Sequence, residues 1–428
     1  MKEAHADLLR ILQSELRPAL GCTEPSAIAL ASARARRALG LLPEHMEVAC
    51  SANVIKNVMG VAVPNSGGMR GIEAAALLGM VGGNADSGLC VLESITAEHV
   101  ESCRRLLGTG NCRTLVLEGD ECLRIRVAVT AQGHEAVAEI TNRHDCLSLL
   151  EVDGRDVLQG ERSVASVPGA ITGVKGNPTA LSIRSILEFA ETVPIDEVRE
   201  MLDMQVELNS AIADEGLRNS WGANVGSTLL EAMGQDVRIR ARARAAAGSD
   251  ARMGGCAMPV VVSGGSGNQG LTLSLPVIEF AKELGVGHER LMRALVISNL
   301  VSIRQKTEIG RLSAYCGAVS AAAGCGAAIA WLHGLDYDGV AGTLTNTLAN
   351  IGGMVCDGAK ASCAAKISSA VDAAVLGFEM SRRSRRFAAG EGLVGEDVEK
   401  TISNFGRLAR IGMKSTDVEI LKIMIGQT

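Results

Sequence analysis

Aromatic residues are nearly missing from this sequence: five Phe, two Tyr and two Trp make up 2% of 428 residues. Few platforms remain for stacking bases, and the core must be built from Ala, Val, Leu, Ile and Met. Excess positive charge is missing too. Lysine and arginine number 42 against 48 acidic residues, a net charge of −6, so no overall field draws the chain to nucleic acid or to an anionic membrane. Neither partner is expected.

Nor does the start of the sequence read as an export signal. The opening MKEAHADLLRILQSEL carries acidic residues and no continuous apolar run, which predicts an amphipathic helix and a cytoplasmic protein. The longest uncharged stretch, Leu312 to Leu332, approaches the length that spans a bilayer. It is mostly Ala and Gly, however, and so weakly hydrophobic that a buried central helix is expected there instead. Twelve cysteines in a chain without an export signal then read as thiols, catalytic groups or metal ligands rather than as a disulfide framework.

What is present is ample core material. Hydrophobic residues make up 47% and glycines number 49, enough to bury a large core divided between two domains. Residues 1–45 read as two helices packed on a helical domain: Leu8, Leu9, Leu12 and Leu16 share one face, and a second helix starts near Pro25. From residue 46 to 167 short apolar runs (VACSANVI, TLVLEG, LRIRVAVTA, HEAVAEI) alternate with helical segments such as GIEAAALLGMVGG, the texture of an α/β domain. The Gly- and Pro-rich stretch Val167 to Ala180 is the expected boundary. Residues 168–428 read as a large, mainly α-helical domain. The fold class expected is therefore α+β. Two basic clusters, Arg238 to Arg244 and Arg382 to Arg386, lack interleaved aromatics and read as solvated or salt-bridged faces.

Four constellations can carry chemistry. In RPALGCTEPSAIALA, Cys22 stands just before a helix start marked by Pro25, with Thr23 or Glu24 as cap. Free amides and partial positive charge there would stabilise a thiolate and lower the Cys22 pKa, fitting it as base, nucleophile or ligand, or else as an inert buried thiol. Near the C-terminus come Cys316, Cys325, Cys356 and Cys363. Glycines around the last two allow one loop to present both sulfurs to one centre, although their spacing matches neither a zinc pair nor a ferredoxin run, and structural thiols fit equally. PVVVSGGSGNQG imitates a dinucleotide fingerprint, but the required second strand and acidic residue do not follow, and Pro276 interrupts. Ser266, Gly267, Asn268 and Gln269, with their free amides, better suit an amino-acid carboxylate. Lys56 and Asn57, with Asn65, Ser66 and Arg70, form a patch that either closes over a substrate or is an ordinary strand–turn–helix. His144 stands in a polar strand-to-helix turn, where it could assist proton transfer.

Taken together, RPALGCTEP, the Ser51–Gly67 segment with its IKNVMGVAVPNSG run, GGSGNQG, RLSAYCG and CDGAKASC resemble the L-cysteine desulfidase family, which is similar to the iron–sulfur L-serine dehydratase alpha chain. The resemblance spans nearly the whole chain. It implies an enzyme free of pyridoxal phosphate that uses a 4Fe-4S cluster, held by three cysteines with one iron open to the substrate, to eliminate the β-substituent of a small amino acid. Cys316, Cys356 and Cys363 match the ligand positions, and Cys22 matches the base of the desulfidase branch. Gly358 departs from the serine dehydratase pattern, which has proline after the Cys–Asp pair, and Cys363 follows sooner than that pattern implies. L-cysteine is therefore the substrate expected, with L-serine dehydration or a non-catalytic metal or oxygen sensor as alternatives. A homodimer is the expected assembly.

Overall fold

The computed structural model of the chain describes residues 2–119, 121–158 and 176–426, without the side chains of residues 2 and 3. Among the described residues are sixteen α-helices and eight strands, the α+β class expected. The strands are β1 (Arg17–Leu20), β2 (His45–Ser51), β3 (Cys112–Leu117), β4 (Arg124–Ala131), β5 (His134–Thr141), β6 (Leu147–Val152), β7 (Arg155–Asp156) and β8 (Pro259–Val262). Of the expected boundary stretch, the part up to residue 175 lies outside the described residues; its far end, Pro178–Ala180, is a short 3-10 turn whose Asn177 side chain accepts from the Thr179 amide.

Six strands form one sheet in the order β3-β2-β4-β5-β6-β7, with only β2 and β3 parallel. In β4, Ile125, Val127, Val129 and Ala131 are fully buried at every second position, as a sheet with one covered face requires. Gln132 and Gly133, both at positive φ, close the two-residue hairpin to β5. The helix Thr23–Leu39 covers this sheet, touching β4, β5 and β6. Of the two N-terminal helices expected on the helical region, Lys2–Glu15 packs there, against Ile183–Thr192 and His288–Ile309, while Thr23–Leu39 meets it at its start, through Thr23 Oγ1 to the Gly265 carbonyl at 3.0 Å. The difference lies in side-chain size. Ala27, Ala31 and Ala35 are buried, and such a face can approach both the sheet and the helix Ile72–Gly82 closely.

β1 and β8 make a separate antiparallel pair, Ala19 facing Val260. Its four-residue strands join the N-terminal segment to the helical region, and no periodicity announced β1. Because β8 pairs antiparallel, the GGSGNQG loop lies outside any parallel dinucleotide-binding sheet. Pro276 does not interrupt the helix that follows, which runs from Gly267 to Glu283. Proline removes the amide that would bond the Thr272 carbonyl; one residue further on, the Ser298 hydroxyl of the neighbouring helix donates to the Leu273 carbonyl at 2.6 Å.

The Ala-rich segment is the buried central helix expected. Gly317–Leu332 is surrounded by Gly267–Glu283, His288–Ile309, Tyr337–Ile351 and Cys363–Ser381. Among the described residues no helix is long and apolar enough to cross a membrane. The arginines of RIRARARA radiate from the helix Val237–Met253 to acids on its neighbours: Arg240 to Glu279 and Glu283, Arg242 to Asp372, Arg244 to Asp214 and Glu279.

Removing the hydroxyl in Ser298→Ala should cost the buried Leu273 carbonyl one hydrogen bond and lower stability by about 1 kcal/mol. Urea unfolding followed by circular dichroism checks this, and an unchanged midpoint would contradict the role given to Ser298.

Candidate active site

Four helix starts meet around one cavity of about 100 Å³, several times the ~10–15 Å³ that one water needs. Cys22 is the N-cap of Thr23–Leu39, Ser266 of Gly267–Glu283 and Cys316 of Gly317–Leu332, while Cys363 is the first residue of Cys363–Ser381. All four residues line the cavity, as does Cys356. Each helix start brings free amides and partial positive charge, so the space favours negative charge.

Backbone pairing sets Cys316 beside Cys356. The Cys316 amide donates to the Met354 carbonyl at 2.9 Å and the Cys356 amide to Ala314 at 2.6 Å, with Tyr315 opposite Val355. The interaction between the two neighbouring thiols, with the Lys56 ammonium nearby, holds the Cys356 thiol below its ordinary range against its burial and pushes Cys316 up. Lys56, expected at the substrate, is fully buried and committed elsewhere: its ammonium pairs with Asp417 and reaches the Cys356 carbonyl at 3.4 Å. Asp417 also accepts from the Ala314 amide at 2.8 Å. One ion pair therefore ties both cysteine loops to the C-terminal helix Lys414–Met424.

Asp357, between Lys360 and Lys366, is held at about 2 despite the burial that opposes its charge. Gly358 explains the departure from a Cys–Asp–Pro loop. Its φ is +92°, and an added Cβ would overlap the Lys56 carbonyl. Proline, fixed near −65°, cannot adopt that turn. The turn brings Cys363 back over the loop, its thiol 3.7 Å from the Gly358 carbonyl. Cys325 is buried inside its helix and does not line the cavity.

Cys22 is the cap itself, a role expected of Thr23 or Glu24. Its sulfur lies 3.9 Å from the Met253 sulfur, beside Cys363. The expected lowering of its pKa is not found. Burial pushes the thiol from 9.0 up to about 12, with Arg252 acting in the opposite direction and Glu24 and Cys363 adding to the rise. Desolvation outweighs the helix start because the sulfur is almost wholly removed from solvent.

Asn57 does line the cavity, but its amide is engaged, donating to Glu24 Oε1 at 2.9 Å. His144 is buried behind that carboxylate, Nε2 3.7 Å from Glu24 Oε1, in a turn between β5 and β6 rather than before a helix. It lines a smaller neighbouring cavity with Glu15, Arg143 and Arg311. Burial alone would raise the Glu24 carboxyl, yet His144 and Asn57 bring it from 4.5 to about 2. Asn65, Ser66 and Arg70 bond to nearby backbone carbonyls and do not line the cavity.

Ser266 accepts from the Gln269 amide, and Asn268 Oδ1 accepts from Arg252 Nη1 at 3.0 Å. Gly267 leaves room for that guanidinium, which an added Cβ would overlap. Buried polar atoms on lining residues lack partners: Gln269 Oε1, Arg252 Nε and the Tyr315 hydroxyl. Such atoms are rare in finished cores and mark a place where a ligand completes the bonding. Lys306 lines the cavity too, its ammonium lowered to about 8 by burial and by Arg311. Sequence patterns did not single out Glu24, Arg252, Lys306 or Tyr315 as functional. Glu24 and Tyr315 sit inside the motifs already noted, whereas Arg252 and Lys306 end long helices with no local signal.

Residues 86–422 match the family described as serine dehydratase alpha chain. The chain belongs to that family. It is similar to the UPF0597 proteins of Lachnoclostridium phytofermentans, at 51% identity over 98% of this chain and 99% of the relative, and of Treponema denticola, at 44% over 99% of each. A UPF0597 protein of Fusobacterium nucleatum is 42% identical over 97% of this chain and 98% of its own. Membership supports a lyase-type function. Within this serine dehydratase alpha chain relative, Cys316, Cys356 and Cys363 fall in the matched span, and Cys22 precedes it.

Two predictions follow from charge burial. Asp417→Ala should strand the Lys56 ammonium and cost on the order of 3 kcal/mol, read by denaturant unfolding; a loss below about 1 kcal/mol would deny the clamp its importance. Glu24 binds fewer protons folded than unfolded between about pH 2 and 4.5, so its contribution is full above that window, is lost as the pH falls through it, and is gone below it. Between pH 7 and pH 3 the protein should lose about 2 kcal/mol more than Glu24→Gln does. Parallel pH–stability curves for the two would refute the depressed carboxyl.

Proposed function

We propose that this chain is an iron–sulfur, pyridoxal phosphate-independent lyase that cleaves L-cysteine to pyruvate, ammonia and hydrogen sulfide. The observation that carries the reading is the meeting of Cys316, Cys356 and Cys363 with a fourth cysteine, Cys22, around one cavity. Cys316, Cys356 and Cys363 are the residues that would hold a 4Fe-4S cluster. Their chemistry fits: three thiols from two loops, with Lys56, Lys306 and Lys366 acting electrostatically on them. Among the described residues no three His, Cys, Asp or Glu side chains are placed to hold a single metal ion; a cluster instead offers each thiolate its own iron. When bound, the cluster supplies a Lewis-acidic iron for the departing β-substituent.

The protein's own groups do the rest. Cys22, once its own proton has left, takes the Cα proton at its sulfur; the positive charge of Arg252 and of the helix start opposes the burial that otherwise keeps the thiol protonated. The helix start at Ser266–Gln269 receives the polar end of the amino acid through its amides and the unpartnered Gln269 oxygen. His144 and Asn57 fix Glu24, which keeps the wall beside Cys22 charged and ordered. Loss of the Cα proton and of hydrosulfide leaves aminoacrylate, which water converts to pyruvate and ammonia.

L-serine is the second reading, favoured by the family's name. The Gly358 turn, with its proline-excluding backbone, supports the cysteine reading. Protein prepared without oxygen and reconstituted with iron and sulfide should release sulfide and pyruvate in equal amounts from L-cysteine. Pyruvate from L-serine alone would move the assignment to the second reading, and no product from either would favour a sensor. Cys22→Ala should retain iron and lose turnover by about 10²-fold or more, whereas Cys363→Ser should lose iron. Iron retained in the latter would remove Cys363 from the ligand set.

A further inference from the structure

Among the described residues Arg252 has no acid beside it. It is 3% exposed, lines the cavity and, among those residues, makes one hydrogen bond, from Nη1 to Asn268; its Nε has no partner there, and no carboxylate pairs with it. The other arginine on the wall, Arg311, is neutralised by a bidentate pair with Glu15 at 2.7 and 2.6 Å. An uncompensated buried guanidinium is costly unless a bound anion completes it. Everything around Arg252 holds it in place. Gly267 gives it space, Asn268 orients its fork, and the helix start at Ser266 points free amides into the same cavity.

Resting on the lyase reading above, we propose that Arg252 is the charged anchor for the α-carboxylate of the substrate, and that it restricts the site to α-carboxylates. Its position suits this. Cys22 lies close enough for Arg252 to act on it electrostatically, and Met253, next in the chain, touches the Cys22 sulfur. In an α-amino acid the Cα proton and the carboxylate are neighbours, so the group that takes the proton and the group that holds the carboxylate must stand side by side. As the proton leaves, negative charge spreads into the carboxylate, where the guanidinium stabilises it more than in the ground state. Arginine suits the task because its planar fork matches a carboxylate and stays charged at all working pH values.

The test separates the anchor from the activity by measuring binding to the full-length protein, with two thiols each lacking one substrate group. 3-Mercaptopropionate keeps the carboxylate and lacks the amine; cysteamine keeps the amine and lacks the carboxylate. In calorimetric titrations Arg252→Gln should weaken 3-mercaptopropionate at least tenfold and leave cysteamine within about twofold. Should Arg252→Gln not fold, Arg252→Lys, which keeps charge but not the fork, should still weaken the carboxylate ligand several-fold with cysteamine unchanged. Equal loss for both ligands, or no loss for 3-mercaptopropionate, would overturn the anchor. Arginine-dependent carboxylate binding in a protein that turns over neither cysteine nor serine would uphold the anchor and refute the lyase reading.

Discussion

The site depends on one buried ion pair. Lys56 comes from the short helix after β2 and Asp417 from the C-terminal helix, and between them they hold the carbonyl of Cys356 and the amide of Ala314. Those two contacts fix the strip of backbone pairing that sets Cys316 and Cys356 side by side. A buried pair of this kind adds little net stability, because desolvation offsets the attraction, but breaking it leaves a charge stranded. Its value here is specificity of placement: segments about 260 residues of chain apart and more are brought to one register, as the spacing from Lys56 to Ala314 shows.

Around that clamp the electrostatics are one-sided. Four helix starts, Arg252 and Lys306 all direct positive potential into the cavity, and among the described residues Glu24 is the one carboxylate on its lining. An anionic ligand set is what such a space is built to receive. The same field works against burial at Cys22. Desolvation wins in the ligand-free state and keeps the thiol protonated, so a helix start by itself does not make a reactive cysteine; the depth of the sulfur decides.

Small residues make the convergence possible. Four helices can direct their ends at one point only if their backbones approach closely, and the central helix GAVSAAAGCGAAIAWL carries nothing larger than a methyl group from Gly317 to Ala328 except at Val319, Ser320 and Cys325. Gly324 lies against the Ser298 carbonyl and Gly270 against Val261. The shortage of aromatic residues is the same fact seen in composition: bulky rings would hold these helices apart.

Local patterns in the sequence determined much of this. Alternation in LRIRVAVTA and HEAVAEI defined β4 and β5, low hydropathy contrast in the Ala-rich segment defined a buried helix, and the motifs around Cys22, Ser266, Cys316, Cys356 and Cys363 named the residues that line the cavity. Those signals are readable because period, helix caps and glycine turns are properties of a few adjacent residues. Tertiary structure alone decided that Lys56 serves Asp417 rather than the cavity, that His144 stands behind Glu24, that the second helix covers the sheet, and that Arg252 has no acid beside it. Each of these is a question of which distant groups share a buried space, and burial with its charge balance is set by the whole fold, not by any window of the chain.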